Sequence, residues 1–108
     1  MALDLPDLLA AYFAAENRSD TEGLGACFAD HAVVRDEGRT IEGLAAIRQW
    51  KAETRKKYQH TVEPIKVVNR DGKTVVTAKV AGNFPNSPVN LDHIFGIEGD
   101  RISSLEIR

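Results

Sequence analysis

A phenol and two carboxylates, Tyr12, Asp36 and Asp92, are the groups in this 108-residue sequence best suited to unassisted chemistry. A carboxylate can take a proton from carbon and return it nearby, while hydroxyl donors meet the charge that grows on an adjoining oxygen. Each residue also has a plainer explanation. Tyr12 falls on the apolar side of a helix, where a core tyrosine with its hydroxyl at the edge is expected. Asp36 opens an Asp-Glu-Gly turn, an ordinary place for aspartate. Asp92 sits inside a strand, where aspartate is disfavoured. Such breaks of local preference collect at functional sites, but an exposed edge position explains it equally.

Other chemistries find less support. His31, His60 and His93 are far apart, and no His-x₃-His or Cys-x₂-Cys spacing occurs, so no metal is expected. His31 is expected near the end of the second helix, beside its negative pole. His93 is expected as a polar residue at an interface. The single cysteine, Cys27, falls on an apolar helix face and reads as a buried thiol. There is no Gly-x-Ser-x-Gly nucleophile turn and no glycine-rich phosphate loop, so no cofactor is expected. The 14 basic and 16 acidic residues give a net charge of −2. The only basic cluster, Arg48, Lys51, Arg55, Lys56 and Lys57, reads as a solvated helix face, and no nucleic-acid partner is expected. The N-terminus has no basic region followed by an apolar run, and no stretch approaches the ~20 apolar residues of a membrane span. A cytoplasmic location, away from membranes, follows by default.

The elements that must position these residues fit one domain spanning 1–108. Asp4 is expected to cap a first helix carrying Leu5, Leu8, Leu9, Tyr12 and Phe13 at helical spacing. Asp20 or Thr21 caps a shorter second helix with Leu24, Cys27 and Phe28 on one side. Residues 32–35 form a short strand, 36–39 turn, and 40–42 return beside it. A third helix runs over 44–58 with Leu44, Ile47, Trp50, Thr54 and Tyr58 on one side. The second half is β-rich: 62–68, a hairpin turn at 69–72, then strands over 74–83, 89–98 and 101–107. Pro64 predicts an edge strand or a bulge. The apolar phase slips between Ile102 and the pair Leu105 and Ile107, which predicts a bulge there. Helices on one face of a curved antiparallel sheet is the α+β solution. Leu91, His93, Phe95 and Ile97 share one strand face; Asn90, Asp92, Ile94 and Gly96 share the other. Because both faces carry apolar residues, the first set is expected to meet a second subunit in a homodimer.

Several stretches carry a family likeness. Residues 12–20, Tyr-Phe-Ala-Ala-Glu-Asn-Arg-Ser-Asp, resemble the end of the first helix of ketosteroid isomerases. Residues 27–36, Cys-Phe-Ala-Asp-His-Ala-Val-Val-Arg-Asp, resemble their Phe-Ala-Asp-x-Ala run leading to an aspartate. Residues 43–50 resemble the start of the third helix, and Leu91-Asp92-His93-Ile94 resembles an apolar-Asp-His strand segment. Residues 82–89 are closer to SnoaL-like domains. Across nearly its whole length the chain resembles the nuclear transport factor 2-like superfamily, in the branch shared by ketosteroid isomerases and SnoaL-like polyketide cyclases.

That resemblance implies a cone-shaped, curved antiparallel sheet wrapped by three helices. It implies an enzyme that moves a proton alpha to a carbonyl of a small, largely apolar compound, as isomerisation or ring closure, without cofactor or metal. Tyr12 would be the oxyanion donor, Asp36 the general base and Asp92 a protonated second donor. Phe28, Trp50 and Ile94 would wall the pocket and Phe84 would line its mouth. The sequence departs from the isomerases in a shorter hairpin after Asp36 and in Glu37, where those enzymes often have proline. Arg35 and Arg39 flank the same turn as possible ion-pair partners. The alternative is a non-catalytic ligand-binding or dimerisation module of the same fold.

Overall fold

Leu9, Tyr12, Phe13 and Glu16 recur at the three- and four-residue steps that put side chains on one side of a helix. They form the buried side of α1 (Asp7–Asn17) in the computed structural model, which describes residues 4–36 and 38–108, with the backbone alone described at Tyr58. Glu37 and the Tyr58 side chain therefore lie outside the described residues. The helix begins after Pro6 rather than at Asp4, with no side-chain cap. The proline ring fixes φ near the helical value at the entry, and the Pro6 carbonyl accepts from Ala10 N at 2.9 Å.

The second helix, α2 (Thr21–Ala26), is capped by Asp20, whose side chain accepts from Gly23 N at 3.0 Å. Cys27 closes it as a buried thiol that donates to the Gly23 carbonyl. Strand β1 (Phe28–Asp36) starts there, so His31 is not at a helix end; it is exposed on the strand, 3.8 Å from Glu98. Strand β2 (Arg39–Glu42) returns antiparallel to β1, and Gly43 at φ 88° turns the chain into α3 (Leu44–Tyr58). The left-handed region that Gly43 occupies strains any residue with a Cβ.

The remaining strands are β3 (Thr61–Arg70), β4 (Lys73–Ala81), β5 (Val89–Glu98) and β6 (Arg101–Ile107). Asp71 and Gly72 both have positive φ, as a two-residue hairpin between β3 and β4 requires. The sheet order is β2-β1-β6-β5-β4-β3, so β3 is an edge strand, as Pro64 predicted, and its pairing with β4 slips between Pro64 and Lys66. A second slip places Gly96 opposite Ser104 and Ile97 opposite Ile102, leaving Ser103 as the predicted bulge. A Cβ on Gly96 would lie 2.4 Å from the Ser104 hydroxyl, so glycine permits that close pairing. One junction departs from the antiparallel expectation: β6 runs parallel to β1.

The sheet is curved and does not close, and the helices pack along β1, β2 and β3. Tyr12 sits at the centre of the core, edge-on to Phe13, Phe95 and Phe28 at 5.1, 5.3 and 5.9 Å between ring centroids. Edge-to-face pairs of this kind contribute about 0.5–1.5 kcal/mol each beyond their burial. The helices cover the sheet face carrying Phe95 and His93, which are fully or almost fully buried within this one chain. Leu91, on the same face, lines a cavity, and of the four residues expected at a subunit interface only Ile97 is exposed. That face is therefore internal. No helix among the described residues is long and apolar enough to cross a membrane.

Candidate active site

A carboxylate and an ammonium meet inside the protein. Glu16 continues the buried stripe of α1 four residues after Tyr12, and Lys51 continues that of α3 four residues after Ile47. Their side chains approach to 2.6 Å, with Glu16 1% and Lys51 4% exposed. The other Glu16 oxygen lies 2.8 Å from His60 Nε2 and 3.9 Å from an Arg55 nitrogen. Lys51 is thus an internal group and not part of a solvated basic face.

Local geometry explains how His60 arrives. Gln59 adopts the left-handed conformation at the end of α3 and its N–H donates to the Arg55 carbonyl at 2.9 Å. This helix ending reverses the chain. The Arg55 guanidinium donates to the His60 carbonyl and to the Ser19 hydroxyl, holding the reversal against α1. Asn17 does the same from the other side: its amide accepts from Val62 N at 2.7 Å and donates to the Val62 carbonyl at 2.8 Å.

Burial opposes ionisation of Glu16, but the Lys51 charge and hydrogen bonds from His60 and Lys51 outweigh it, holding the carboxyl at about 2. Burial likewise opposes the Lys51 ammonium, yet Tyr12 and Glu16 raise its pKa above the ordinary lysine value. Lys51 is therefore a fixed cation and not a nucleophilic amine. Its nitrogen lies 4.3 Å from the centre of the Trp50 ring and 5.2 Å from that of Tyr12. Burial pushes the Tyr12 phenol up to about 12, against the pull of Lys51, so it keeps its proton at neutral pH.

These groups border a cavity of about 410 Å³. Tyr12, Glu16, Lys51 and His60 are its buried polar lining; Val62, Val80, Phe84, Val89, Leu91 and Ile107 are apolar lining; Pro85 and Asn86 are its exposed lining residues. Asp36, at the end of β1 and half-buried, lines the same space despite its short hairpin, as do Trp50 and His93. The volume is in the range of small-molecule sites.

Four of the seven expected site residues thus come together: Tyr12, Asp36, Trp50 and Phe84. The other three do not. Phe28 lies beneath Tyr12 in the core, 2% exposed. Asp92 and Ile94 point to the opposite sheet face, because strand side chains alternate and the helices cover the His93 side. Asp92 is exposed there and accepts a hydrogen bond from the Thr77 hydroxyl at 2.7 Å. It does not border the cavity and so cannot meet a ligand bound there.

Acid should unfold the protein in two overlapping steps. Burial, reinforced by the Lys51 charge, lowers the His93 pKa from 6.5 to about 4. The unfolded chain therefore takes up that proton first, and stability is lost as pH falls through this window. Glu16, lowered from 4.5 to about 2, contributes stability that is present above the first value and lost towards the second. Each shift corresponds to roughly 3 kcal/mol at full effect. Urea midpoints recorded between neutral pH and acid should fall accordingly, and His93→Phe should flatten the upper part of the curve.

The SnoaL-like domain profile matches residues 9–105. The chain belongs to the SnoaL-like domain family. Among solved structures, a provisionally assigned polyketide cyclase from Sinorhizobium meliloti is 42% identical, with 97% of this chain and 96% of that one covered and a TM-score of 0.94. A protein from Catenulispora acidiphila with a ketosteroid isomerase-like fold, solved with trimethylamine, is 23% identical over 95% of this chain and 85% of that one, at a TM-score of 0.82. TerC, crystallised with polyporic acid, is 14% identical over 94% of this chain and 88% of that one, also at 0.82. The last two show the fold alone. No curated protein matches the sequence. The expected superfamily and architecture hold for this SnoaL-like domain.

Glu16, Lys51, His60 and His93 were not among the expected site residues. For the first two a signal was present, since each is a charge placed on an apolar helical stripe. His93 carried one as well, sharing a strand face with Phe95.

Proposed function

We propose that this SnoaL-like domain moves a proton alpha to the carbonyl of a small, largely apolar compound, without a cofactor. One observation carries the proposal: Tyr12, Lys51 and Asp36 border a single cavity whose remaining walls are mostly apolar. The substrate carbonyl oxygen accepts from the Tyr12 hydroxyl. Lys51, charged and interacting with the phenol oxygen, strengthens that donor and stabilises negative charge on the substrate oxygen. Asp36 takes the proton from the neighbouring carbon as the C–H bond breaks and the electron pair moves onto oxygen. Returning that proton to another carbon completes an isomerisation. Attack of the enolate carbon on a second carbonyl closes a ring instead, as the C=O π pair moves onto that oxygen and takes the proton held by Asp36, and the 42% identical neighbour provisionally assigned as a polyketide cyclase supports that variant.

The test is exchange of alpha protons for deuterium in a panel of small cyclic ketones in heavy water, followed by NMR. Catalysed exchange is expected, and Tyr12→Phe should lower it by only about ten- to a hundredfold, because Lys51 remains as a donor. Tight binding with no exchange of any ketone would support the second reading, a ligand-binding module of the same fold.

A homodimer is retained in the proposal on the sheet's other face. Val68, Val75 and Ile94 are paired across β3, β4 and β5 there, half-buried and bordered by Lys66, Asp92 and Glu106. Light scattering should give twice the chain mass, and Ile94→Lys should return it to one.

A further inference from the structure

We propose that His93 selects ligands carrying a hydroxyl group near the carbonyl, by accepting the hydroxyl hydrogen at Nε2. The proposal rests on the cavity being a carbonyl site.

His93 is 4% exposed and borders the cavity. Its Nδ1 lies 3.3 Å from the Leu91 carbonyl. A carbonyl can only accept, so this contact requires the hydrogen on Nδ1, and a neutral imidazole of that tautomer has a bare acceptor at Nε2. The ring faces are taken: Phe95 stacks at 6.2 Å and 20°, and Phe13 meets the ring edge-on at 5.5 Å and 67°. The hydrogen-bond contact of His93 runs through Nδ1 and the residue lines the cavity, so Nε2 is the ring nitrogen left to meet a ligand. The ring stays neutral at physiological pH, since burial and the Lys51 charge both disfavour imidazolium.

The cavity thus offers two kinds of polar contact at different places. Tyr12 and Lys51 are donors, suited to a carbonyl oxygen. His93 is an acceptor standing beside Leu91, suited to a hydroxyl. An acceptor that a bound ligand shuts off from water is costly to leave without a donor, so a ligand lacking the hydroxyl is penalised beyond the contact it fails to make. The chemical class is a hydroxylated cyclic ketone or phenolic ketone of a size that fills the cavity.

The probes are α-tetralone, its ring-hydroxylated isomers and their methyl ethers. Trp50, the only tryptophan, lines the cavity, so its fluorescence reports binding. At least one hydroxy isomer should bind wild-type protein about tenfold or more tightly than both α-tetralone and the matching ether. In His93→Leu the ratio of hydroxy-isomer to α-tetralone affinity, both measured on that variant, should shrink to within about twofold. His93→Gln, which keeps an acceptor, should retain part of it, with melting curves confirming that both variants fold. A preference that survives His93→Leu overturns the proposal. So does the absence of any preference in wild-type protein, or of binding by every probe. Tyr12→Phe separates the two readings: if it leaves the binding of all the ketones unchanged, the carbonyl site fails, whatever the hydroxyl comparison shows.

Discussion

Asp36→Asn should lower the deuterium exchange of a bound ketone by about a thousandfold or more while leaving the melting temperature almost unchanged. The amide has nearly the same size and shape but no basicity, and Asp36 is only half-buried at the end of β1. Among the described carboxylates lining the cavity, Glu16 is the other one, and Lys51, His60 and Arg55 all hold it in its ionised, occupied state. It is a poor replacement base. Wild-type exchange rates in the asparagine variant, on a ketone whose binding is verified, would remove Asp36 from the chemistry.

Lys51→Met should cost about 3–5 kcal/mol, because it leaves the Glu16 carboxylate buried with much of its compensation gone. A domain of this size has about 5–15 kcal/mol in total, so this single change brings the protein close to unfolding at physiological temperature. The double variant Glu16→Leu/Lys51→Met should be more stable than Lys51→Met alone, since it removes the stranded charge as well as its partner. Urea denaturation of the four forms measures the coupling. If the two losses simply add, the buried pair is not the reason that Lys51 matters. Only the exchange assay separates this structural role from the proposed electrostatic one, so it should be run on the double variant, which has the better prospect of remaining folded.

Much of the architecture was legible because it follows from local rules. Asp20 caps α2, Asp71-Gly72 makes the hairpin, Pro64 marks an edge strand with a bulge, and the slipped phase around Ser103 marks another. Tyr12 and Asp36 were singled out because type and resemblance agreed, and both line the cavity. The parity of β5 was legible too, but not which parity faces inward. Alternation groups Asp92 with Ile94 and His93 with Phe95; only the packing of Phe13 and Tyr12 against Phe95 decides that the second pair is internal. Lys51 was hidden among Arg48, Arg55, Lys56 and Lys57, although its step from Ile47 places it on the apolar stripe. His60 depends on the left-handed turn at Gln59, which nothing in its own sequence neighbourhood announces.

The parallel pairing of β1 with β6 has a consequence for how the protein is made. Strand β6 is the bridge between β1–β2 on one side and β5–β4–β3 on the other. A growing chain can form its helices and the hairpin at Asp71-Gly72 early, but the two parts of the sheet stay unjoined until residue 107 has left the ribosome exit tunnel. Until then the facing edges of β1 and β5 have no partner, which is the situation in which chaperones bind and neighbouring nascent chains stick together.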